Sequence, residues 1–494
     1  MKPEMVPGAS GVMGRPGRLT AIMKRTAARQ PRRSERRNLL DNALREQMLA
    51  SATEAVNALC TFAQDQPLAD FDVREDRVLE LGRALMATWL GQLAGVAGPR
   101  TPACPKCGVH SLNAVRRRRK PRTLNSRCGT VHIPRLRLTC RGCQHSWLPL
   151  QSVLGVDAKQ RTSGGLQHWE ALLGGLTIFA EAAQLLETLA GVQVGTETLR
   201  THAEAAGTEL EGEQRAAMAQ VEATQEPPSG YTPVTNEQTL VVETDGVMAR
   251  YRDRHLDGTL IDGEWHEIKL GLAGGWQDGE LVNPTYVAAR ETASKFAPRL
   301  GTEAARRGAL DIVDWRGLGT DGGGEEAVLR RVVVIGDGAR WIWEHVAPLF
   351  GSERVEILDW YHCCQHLGTV GAAVHGADTP ETVAWVDQAK DVLWERGPTA
   401  LISLLTPLQA PTKESQKVLN TERGYFRTNA ERMQYSTYRE QGLPIGSGAV
   451  ESAAKHLVQQ RMKRAGMRWS ELGARAILHL RCAMLNTAIL DAVA

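Results

Sequence analysis

Thr239-Leu-Val-Val-Glu-Thr-Asp-Gly246 and Val332-Val-Val-Ile-Gly-Asp-Gly338 are the two stretches of sequence that decide the fold. Both are rich in β-branched apolar residues, which is typical of buried strands. Each apolar run is followed closely by an aspartate and a glycine, so we expect Asp245 and Asp337 to lie at strand ends. Asp-Gly is also a common turn dipeptide, so a purely structural role is the alternative for each aspartate.

A third acidic residue, Glu451, follows the stretch Leu443-Pro-Ile-Gly-Ser-Gly-Ala-Val450. We expect Glu451 in the first turn of a helix, where the helix dipole favours a carboxylate whether or not it has a further role. Carboxylates from two strand ends and one helix can hold two Mg²⁺ ions, or Mn²⁺, about 3.5–4 Å apart. Such ions activate an attacking oxygen and stabilise a leaving oxygen, which is the chemistry of phosphodiester cleavage and joining.

The pattern around these acids predicts an α/β domain with a mixed sheet over residues 239–494. Apolar runs separated by turn residues predict six strands, the first three of them an antiparallel meander and the fourth an edge strand. They are expected at residues 239–244, 247–251, 265–272, 285–289, 331–335 and 355–358. Residues 361–430 have a helical pattern, which predicts a helical insertion ahead of the Glu451 helix.

The rest of the chain divides by composition. Residues 1–40 form a basic arm that we expect to be disordered when free, with an excess of eight positive charges between residues 1 and 38. Residues 41–98 have the spacing of two amphipathic helices. The segment 226–238 contains Pro227, Pro228 and Pro233, and we interpret it as the linker at the main domain boundary.

Whole-chain composition narrows the class of protein. The 494 residues are 42% apolar and 23% charged, which is typical of globular domains and excludes a wholly disordered protein. No apolar run approaches the roughly 18 residues that a spanning helix needs, and no apolar block follows the N-terminal arginines. We therefore expect no membrane association and a cytoplasmic location.

Four of the nine cysteines form two C-x2-C pairs, Cys104 with Cys107 and Cys140 with Cys143. Two such turns supply four thiolates, which is the ligand set of a closed structural Zn²⁺ site with no open position for catalysis. The spacing predicts a zinc ribbon at residues 99–150, whose hairpin carries a run of arginines. Cys128 lies inside the spacer and is expected not to be a ligand.

Residues 151–225 are predicted to be helical and to contain a helix-turn-helix. The helices are expected at 179–189 and 196–202, with Gly191 in the turn and Thr196 as an N-cap. Two short helices around a glycine occur in many helical domains, so this pattern alone is weak evidence for DNA binding.

Although the net charge is only +3, basic residues are clustered in three blocks, the arm and two later runs. Such clustering indicates a nucleic-acid partner, since solvated charge alone does not require it. The candidate DNA-binding residues in the two later runs are Arg116, Arg117, Arg118, Arg119, Lys120, Lys455, Arg461, Lys463, Arg464 and Arg468.

Several longer strings carry a resemblance to a known family. They include Trp265-His-Glu-Ile-Lys-Leu-Gly271, Ile357-Leu-Asp-Trp-Tyr-His362 and Gln460-Arg-Met-Lys-Arg-Ala-Gly-Met-Arg-Trp469, together with the segments that contain the three acids. From about residue 70 to the C-terminus the chain resembles the ISKra-type family of bacterial insertion-sequence transposases. The resemblance implies a ribonuclease-H-like core, interrupted by the helical insertion, in which Asp245, Asp337 and Glu451 are the catalytic, metal-binding triad.

The resemblance further implies a DDE transposase that binds double-stranded DNA, both the element ends and the target, and acts as a homo-oligomer when two ends are brought together. Related Mutator-type transposases carry an acid-x2-His motif after the corresponding strand, which suggests Asp359 and His362 as accessory residues. Two alternatives stay open: a ribonuclease-H-like nuclease that cleaves without joining, and a transposase-derived DNA-binding regulator with an idle core.

Overall fold

The structure is a computed structural model, and it describes residues 42–95, 103–108, 114–157, 159–234, 239–254, 260–312 and 332–486. The basic arm predicted at residues 1–40 lies outside the described residues. The chain divides into two compact units, Met1–Ala203 and Glu204–Ala494, and the division falls within the helix Thr196–Thr224. Residues 225–234 have neither helix nor strand.

The first unit begins with the two predicted helices and continues into a small antiparallel sheet and more helices. Its helices are α1 (Asn42–Asp65), α2 (Phe71–Gly95), α3 (Pro149–Leu154), α4 (Gly164–Leu176), α5 (Phe179–Ala190) and the start of α6 (Thr196–Thr224). Its strands are β1 (Ala114–Ser126), β2 (Gly129–Cys140) and β3 (Ser146–Trp147), in the order β1-β2-β3.

The hairpin β1–β2 packs against α2 through a small apolar cluster. Leu124, Val131 and Ile133 are buried with Ala94 of the helix. A Cβ at Gly91 would lie 3.0 Å from the carbonyl oxygen of His132, so the helix backbone approaches the strand closely there. The predicted hairpin is thus present and is anchored on one face.

Helices α5 and α6 confirm the predicted pair around Gly191. Gly191 has a φ of 62°, a left-handed conformation that glycine adopts without strain, and it ends α5. The second helix is longer than predicted, because α6 begins at Thr196 itself and continues to Thr224 instead of ending at His202. Leu166, Leu186 and Leu199 form the core between α4, α5 and α6.

The second unit is built on a five-stranded mixed sheet of order β6-β5-β4-β7-β8. Its first three strands form an antiparallel meander, and β7 and β8 add to β4 in parallel. The strands are β4 (Thr239–Arg254), β5 (Leu260–Gln277), β6 (Glu280–Ala289), β7 (Val332–Gly336) and β8 (Val355–Leu358). The predicted mixed sheet is confirmed. Strand β6, which contains the predicted edge strand 285–289, lies at one edge of the sheet.

Strand β4 corrects one prediction. Residues 239–244 and 247–251 belong to one continuous strand, so Asp245 lies within β4 and does not end it. Asp245 and Gly246 pair with Leu270 and Lys269 of β5, and pairing continues to Arg254. Gly246 is not at a turn; a Cβ at this position would lie 2.3 Å from Oε1 of Glu267, so the close neighbour accounts for the glycine.

Helices cover both faces of the sheet. Alternation along a strand sends successive side chains to opposite faces. Val241, Val333 and Ile335 pack on one side with the helices that follow β8, whereas Val242, Val332 and Val334 pack on the other with Phe296 and Phe350. These three layers bury the central strands and fix the positions of the polar residues at their ends.

Two of the helices that pack around this sheet lie between β6 and β7 in sequence, and the others follow β8. They are α7 (Ala293–Arg306), α8 (Ala309–Ile312), α9 (Trp360–His375), α10 (Pro380–Leu405), α11 (Lys413–Thr428), α12 (Tyr435–Glu440), α13 (Gly448–Ala454) and α14 (Glu471–Asn486). Helices α9 to α12 occupy the predicted insertion. Residues 342–350, between β7 and β8, form a π turn and a 3₁₀ turn.

None of the helices in the described ranges is both long enough and apolar enough to cross a membrane.

Candidate active site and four-cysteine cluster

Asp245 and Asp337 lie side by side on neighbouring parallel strands. The register pairs Thr244 of β4 with Gly336 of β7, and each aspartate is the next residue along its strand direction. Carboxylates at matching positions of adjacent parallel strands meet at the same edge. The two acids that the sequence singled out are therefore brought together, although only Asp337 lies where a strand ends.

The Asp337 turn is held from two sides. Its Oδ1 accepts a hydrogen bond of 2.9 Å from the backbone N–H of Ala339. From the helical insertion, the Tyr425 hydroxyl donates a 2.9 Å hydrogen bond to the carbonyl oxygen of Asp337. Gly338 has a φ of 93°, and a Cβ there would lie 2.7 Å from the Tyr425 ring, so the turn requires glycine.

Glu451 lies in the first turn of α13, as predicted, and two buried acids hold the segment ahead of it. Oε2 of Glu243 accepts a 2.8 Å hydrogen bond from the N–H of Val450. Oδ2 of Asp359 accepts from the N–H of Ser447 and, at 2.7 Å, from its hydroxyl. The helix that carries Glu451 is thereby fixed to β4 and to the end of β8.

Glu243 is the site residue that the sequence analysis missed. It is 2% exposed, and it lies two residues before Asp245 on the same strand, so both side chains point to one face. The available signal was the charge itself, since Glu243 interrupts an otherwise apolar strand. Its partner, the N–H of Val450, is 207 residues away in sequence, which local patterns do not reveal.

Asp359 caps helix α9 and orients His362. Its Oδ1 accepts a 2.7 Å hydrogen bond from the N–H of His362 and lies 3.3 Å from Nδ1 of the same residue. A proton on Nδ1 leaves Nε2 as the free lone pair of the ring. Ligand atoms of Asp359, His362 and Glu451 all lie within 4.8 Å of one another. The acid-x2-His motif is thus adjacent to Glu451.

The electrostatics of the cluster reflect crowded negative charge. Burial, together with the charges of Asp337 and Glu451, raises the pKa of Asp245 to about 6. Burial also raises the pKa of Glu243 to about 8. Although burial opposes it, hydrogen bonding from His362 and Ser447 keeps the pKa of Asp359 below its ordinary value.

The donor set fits a divalent cation with oxygen ligands. Carboxylates that repel one another when ionised are stabilised by a cation placed among them. Asp359 is less suited to ligation, because its two oxygens already accept hydrogen bonds from Ser447 and His362. Asp245, Asp337 and Glu451 keep carboxylate oxygens that can coordinate a cation, and His362 lies beside them.

The basic residues that follow Glu451 differ in their exposure to solvent. Lys455, Lys463, Arg464 and Arg468 are exposed. The helical segment that contains Glu451 passes through a π turn and ends at Met462, so Lys463, Arg464 and Arg468 lie beyond it.

Arg461 is also corrected as a DNA-binding candidate. It is only 1% exposed, and its guanidinium lies 4.9 Å from the centroid of the Trp469 ring. Nη1 of Arg461 donates to Sδ of Met467 at 3.8 Å. The Arg461 side chain is therefore packed inside the turn formed by residues 461–469 and is not accessible to a DNA phosphate.

In the first unit, the four predicted zinc ligands come together. Sγ of Cys104 lies 3.6 Å from Sγ of Cys143, and Sγ of Cys107 lies 3.6 Å from Sγ of Cys140. Four sulfurs at a Zn–S distance of about 2.3 Å are about 3.8 Å apart in a tetrahedron. The N–H of Cys143 lowers the pKa of Cys140 to about 7, which favours the thiolate. This cluster can hold one structural Zn²⁺.

The fold and the two sites define a mixed α/β protein with a carboxylate-rich sheet edge and a four-cysteine cluster. Residues 324–494 match a family described as an uncharacterised protein family, UPF0236. The matched residues include Asp337, Asp359, His362 and Glu451. The chain is also similar to a UPF0236 protein in the vanSb 3′ region of Streptococcus gallolyticus, at 26% identity over 368 residues, which cover 72% of this chain and 71% of that protein.

Proposed function

We propose that the protein is a metal-dependent DDE transposase of a bacterial insertion sequence, which binds double-stranded DNA at the element ends and catalyses cleavage and strand transfer. The observation that carries the proposal is the meeting of Asp245, Asp337 and the Glu451 helix at one sheet edge. These acids come from three separate parts of the chain, and a purely structural role does not require them to converge.

The strand order supports the ribonuclease-H-like part of the proposal. The order β6-β5-β4-β7-β8 is a mixed sheet with Asp245 on its central strand and Asp337 directly after the neighbouring parallel strand, which is compatible with the core that the sequence resemblance implies. Helices α9 to α12, between β8 and the Glu451 helix, have the position of the insertion in the transposases that the sequence resembles.

In this proposal Asp245, Asp337 and Glu451 would hold two Mg²⁺ or Mn²⁺ ions, whose chemistry would be to activate an attacking oxygen and to stabilise the leaving oxygen. Glu243 and Asp359 keep the Glu451 segment in place. His362, oriented by Asp359, lies where it can contact a phosphate oxygen or move a proton. Lys455, Lys463, Arg464 and Arg468 follow Glu451 in sequence and are exposed, and their positive charge suits a DNA backbone.

The test is excision and joining of a marked DNA segment bounded by the native flanking sequences, with junctions sequenced. We expect joined products from the wild type and at least about 100-fold less from Asp337→Asn or Glu451→Gln, because each removes one charge at the metal ligands. Asp391→Asn, an exposed aspartate of α10, is the matched control and should join normally.

The other possible outcomes support one of the two alternatives or contradict the proposal. A wild type that cuts without ever joining supports the nuclease alternative. A wild type that binds the element ends and leaves them intact, with the same cellular effect as Asp337→Asn, supports the regulator. Normal joining by the Asp337→Asn variant contradicts a role for the triad.

A further inference from the structure

The first two helices, α1 and α2, have apolar side chains that stay exposed to solvent. These residues are Leu49, Val56 and Cys60 on α1 and Leu79, Met86, Leu90 and Leu93 on α2. Those other than the cysteine have between 39% and 56% of their surface exposed. Single apolar side chains on a surface are ordinary, whereas a contiguous apolar patch indicates an interaction site.

The two helices run antiparallel and contact each other along a different side. Nε1 of Trp89 donates hydrogen bonds to the carbonyl oxygen of Met48 at 3.2 Å and to Oγ of Ser51 at 3.1 Å. Nε2 of Gln92 donates at 3.4 Å to the carbonyl oxygen of Gln47. Residue numbers rise along α2 as they fall along α1, so the helices are antiparallel.

The exposed apolar residues form one stripe on each helix. Leu49 and Val56 of α1 are seven residues apart, and Leu79, Met86 and Leu93 of α2 have the same spacing, which keeps each set on one side of its helix. At 3.6 residues per turn, each stripe lies about a third of a turn from the contact between the helices, in the same rotational sense. Because the helices are antiparallel, both stripes lie on the same side and form one apolar face.

The other side of the helix pair is polar. Its exposed residues are Glu54, Asn57 and Thr61 on α1 and Glu80 and Thr88 on α2. A helix normally buries one apolar stripe and exposes the rest. Here each helix has a second apolar stripe, which is the pattern of one half of a four-helix bundle.

Gly82 lies within the apolar face, between Leu79 and Met86 of α2. Glycine inside a helix is destabilising relative to alanine. A Cβ at Gly82 would meet no other part of the chain within 4 Å, so no contact among the described residues accounts for the glycine. The open position instead allows a helix outside this chain to approach α2 closely.

The charges at the ends of the face fit a second copy of the chain. Arg45 lies one turn before Leu49, and Glu75 lies one turn before Leu79; both are exposed, and neither forms an ion pair among the described residues. Since the helices are antiparallel, the two charges lie at opposite ends of the face. A two-fold axis across the helices brings Arg45 of one copy to the end where the other copy has Glu75, whereas an axis along the helices would bring like charges together.

The size of the face also suits association with a second copy. Helix α1 has 24 residues. At about 1.5 Å per residue such a helix is about 36 Å long, and two helices side by side are about 20 Å wide, which gives a face of about 700 Å². A stable interface buries about 800 Å² on each partner.

We propose that two copies of the chain associate through this face and form a four-helix bundle, in which the helices of one copy run antiparallel to the same helices of the other. The contact buries both stripes, closes over Gly82 and brings Arg45 of each copy to the end that holds Glu75 of the other. The dimer forms without DNA, so the proposal does not rest on the proposed function.

The test is the mass of the full chain in solution without DNA, measured by light scattering and by sedimentation over a range of concentrations. The wild type should be a dimer. Val56→Glu/Leu90→Glu should raise the dimer dissociation constant at least about 100-fold, because four carboxylates would enter one apolar contact. Asn57→Glu/Thr88→Glu adds the same charge to exposed positions on the polar side and should dimerise as the wild type does.

Reversal of the end charges tests the antiparallel arrangement. Arg45→Glu and Glu75→Arg each place like charges together, so each alone should weaken the dimer about 3-fold or more. The double variant Arg45→Glu/Glu75→Arg pairs opposite charges again and should regain the affinity of the wild type. Additive losses in the double variant overturn the proposed arrangement.

Circular dichroism and the urea midpoint, measured on every variant, establish that each is folded. A wild type that stays monomeric at all concentrations overturns the proposal and leaves residues 1–40 or another protein as the occupant of the face. Equal loss of the dimer in both glutamate double variants also overturns it, since it would indicate bulk charge. A wild type that dimerises through this face and never joins DNA would retain the dimer and reject the transposase.

Discussion

Glu243 and Asp359 are buried acids that each bind the backbone just ahead of Glu451. Both are 2% exposed or less, and both accept hydrogen bonds from N–H groups in the segment 447–450. A buried carboxyl that accepts a backbone hydrogen bond acts through geometry as well as charge. The two roles can be separated by replacing the acid with its amide.

Glu243→Gln should fold with nearly unchanged stability, because the amide oxygen can still accept from Val450 and no charge is buried. Glu243→Ala should lose about 1–3 kcal/mol in the free energy of unfolding, since it leaves the N–H of Val450 without its acceptor. Urea unfolding measures both values. Equal loss in both variants would show that the carboxylate charge, not the hydrogen bond, holds the segment.

His479 of α14 should make stability sensitive to acid. Burial lowers its pKa to about 3, and the charges of Arg299, Arg475 and Arg215 contribute. The unfolded chain binds a proton near the ordinary pKa of about 6.5, so stability is full above that pH and falls as pH decreases from about 6.5 toward 3.

The expected slope from this residue is about 1.4 kcal/mol per pH unit well below pH 6.5. Urea unfolding between neutral pH and mild acid measures it. The free energy of unfolding of His479→Gln, which cannot be protonated at this position, should depend less steeply on pH. His375→Gln, which replaces an exposed histidine, is the matched control. A His479→Gln profile parallel to the wild type would contradict the assignment.

At the scale of elements, helix α11 reaches the candidate active site through a single hydroxyl. Tyr425 stacks on His366 with ring centroids 3.7 Å apart, and His366 is within 2.6 Å of Glu422. The Tyr425 hydroxyl donates a hydrogen bond to the carbonyl oxygen of Asp337. The helical insertion is therefore part of the scaffold that positions an acid of the site.

Tyr425→Phe should cost about 1 kcal/mol of stability and reduce DNA joining, because the Asp337 turn loses its anchor. Tyr438→Phe is the matched control, since its buried hydroxyl donates to the carbonyl oxygens of Glu356 and Glu431. We expect a similar stability loss there with normal joining. Joining assays at several Mg²⁺ concentrations separate a loss of metal affinity from misfolding; equal activity in both variants would contradict the role of Tyr425.

The sequence predicted the sheet and the convergent acids because both follow from local patterns. Apolar runs gave the strands, and acids beside glycine marked the candidate positions of Asp245 and Asp337. The continuity of β4 through Asp245 was not predicted, because Asp-Gly resembles a turn. Here the glycine instead accommodates Glu267 of the neighbouring strand, which is a tertiary contact.

The errors have a common physical origin. Glu243 and Tyr425 act through partners on other parts of the chain, which no short stretch of sequence contains. Arg461 was assigned to the surface because arginine is rarely buried, yet the ring of Trp469 covers it. Local sequence specifies which groups are present, whereas packing decides which of them face solvent.

At the scale of the whole molecule, the two units have separate cores and separate chemical supports. The four-cysteine cluster of the first unit could hold a structural Zn²⁺ that would cross-link its hairpin, and the second unit has two apolar layers around its sheet. Metal removal should therefore affect the units unequally.

Cys140→Ser should abolish zinc binding and remove hydrogen-exchange protection from β1 and β2, because the strands lose their cross-link. Strands β4 and β7 should keep their protection. Cys128→Ser, in the same hairpin and outside the four-cysteine cluster, is the matched control and should retain one zinc per chain. Retention of zinc by Cys140→Ser, or loss of protection in β4, would contradict this division.

The continuity of β4 has a consequence for motion. The backbone at Asp245 is paired within a long central strand, so it opens only when the sheet itself unfolds. The backbone at Asp337 lies outside the strand, in a turn held by the Ala339 N–H and by the Tyr425 hydroxyl. At the proposed metal site, one carboxylate would therefore be carried by a continuous strand and the other by a turn, so only the second could move without breaking hydrogen bonds of the sheet.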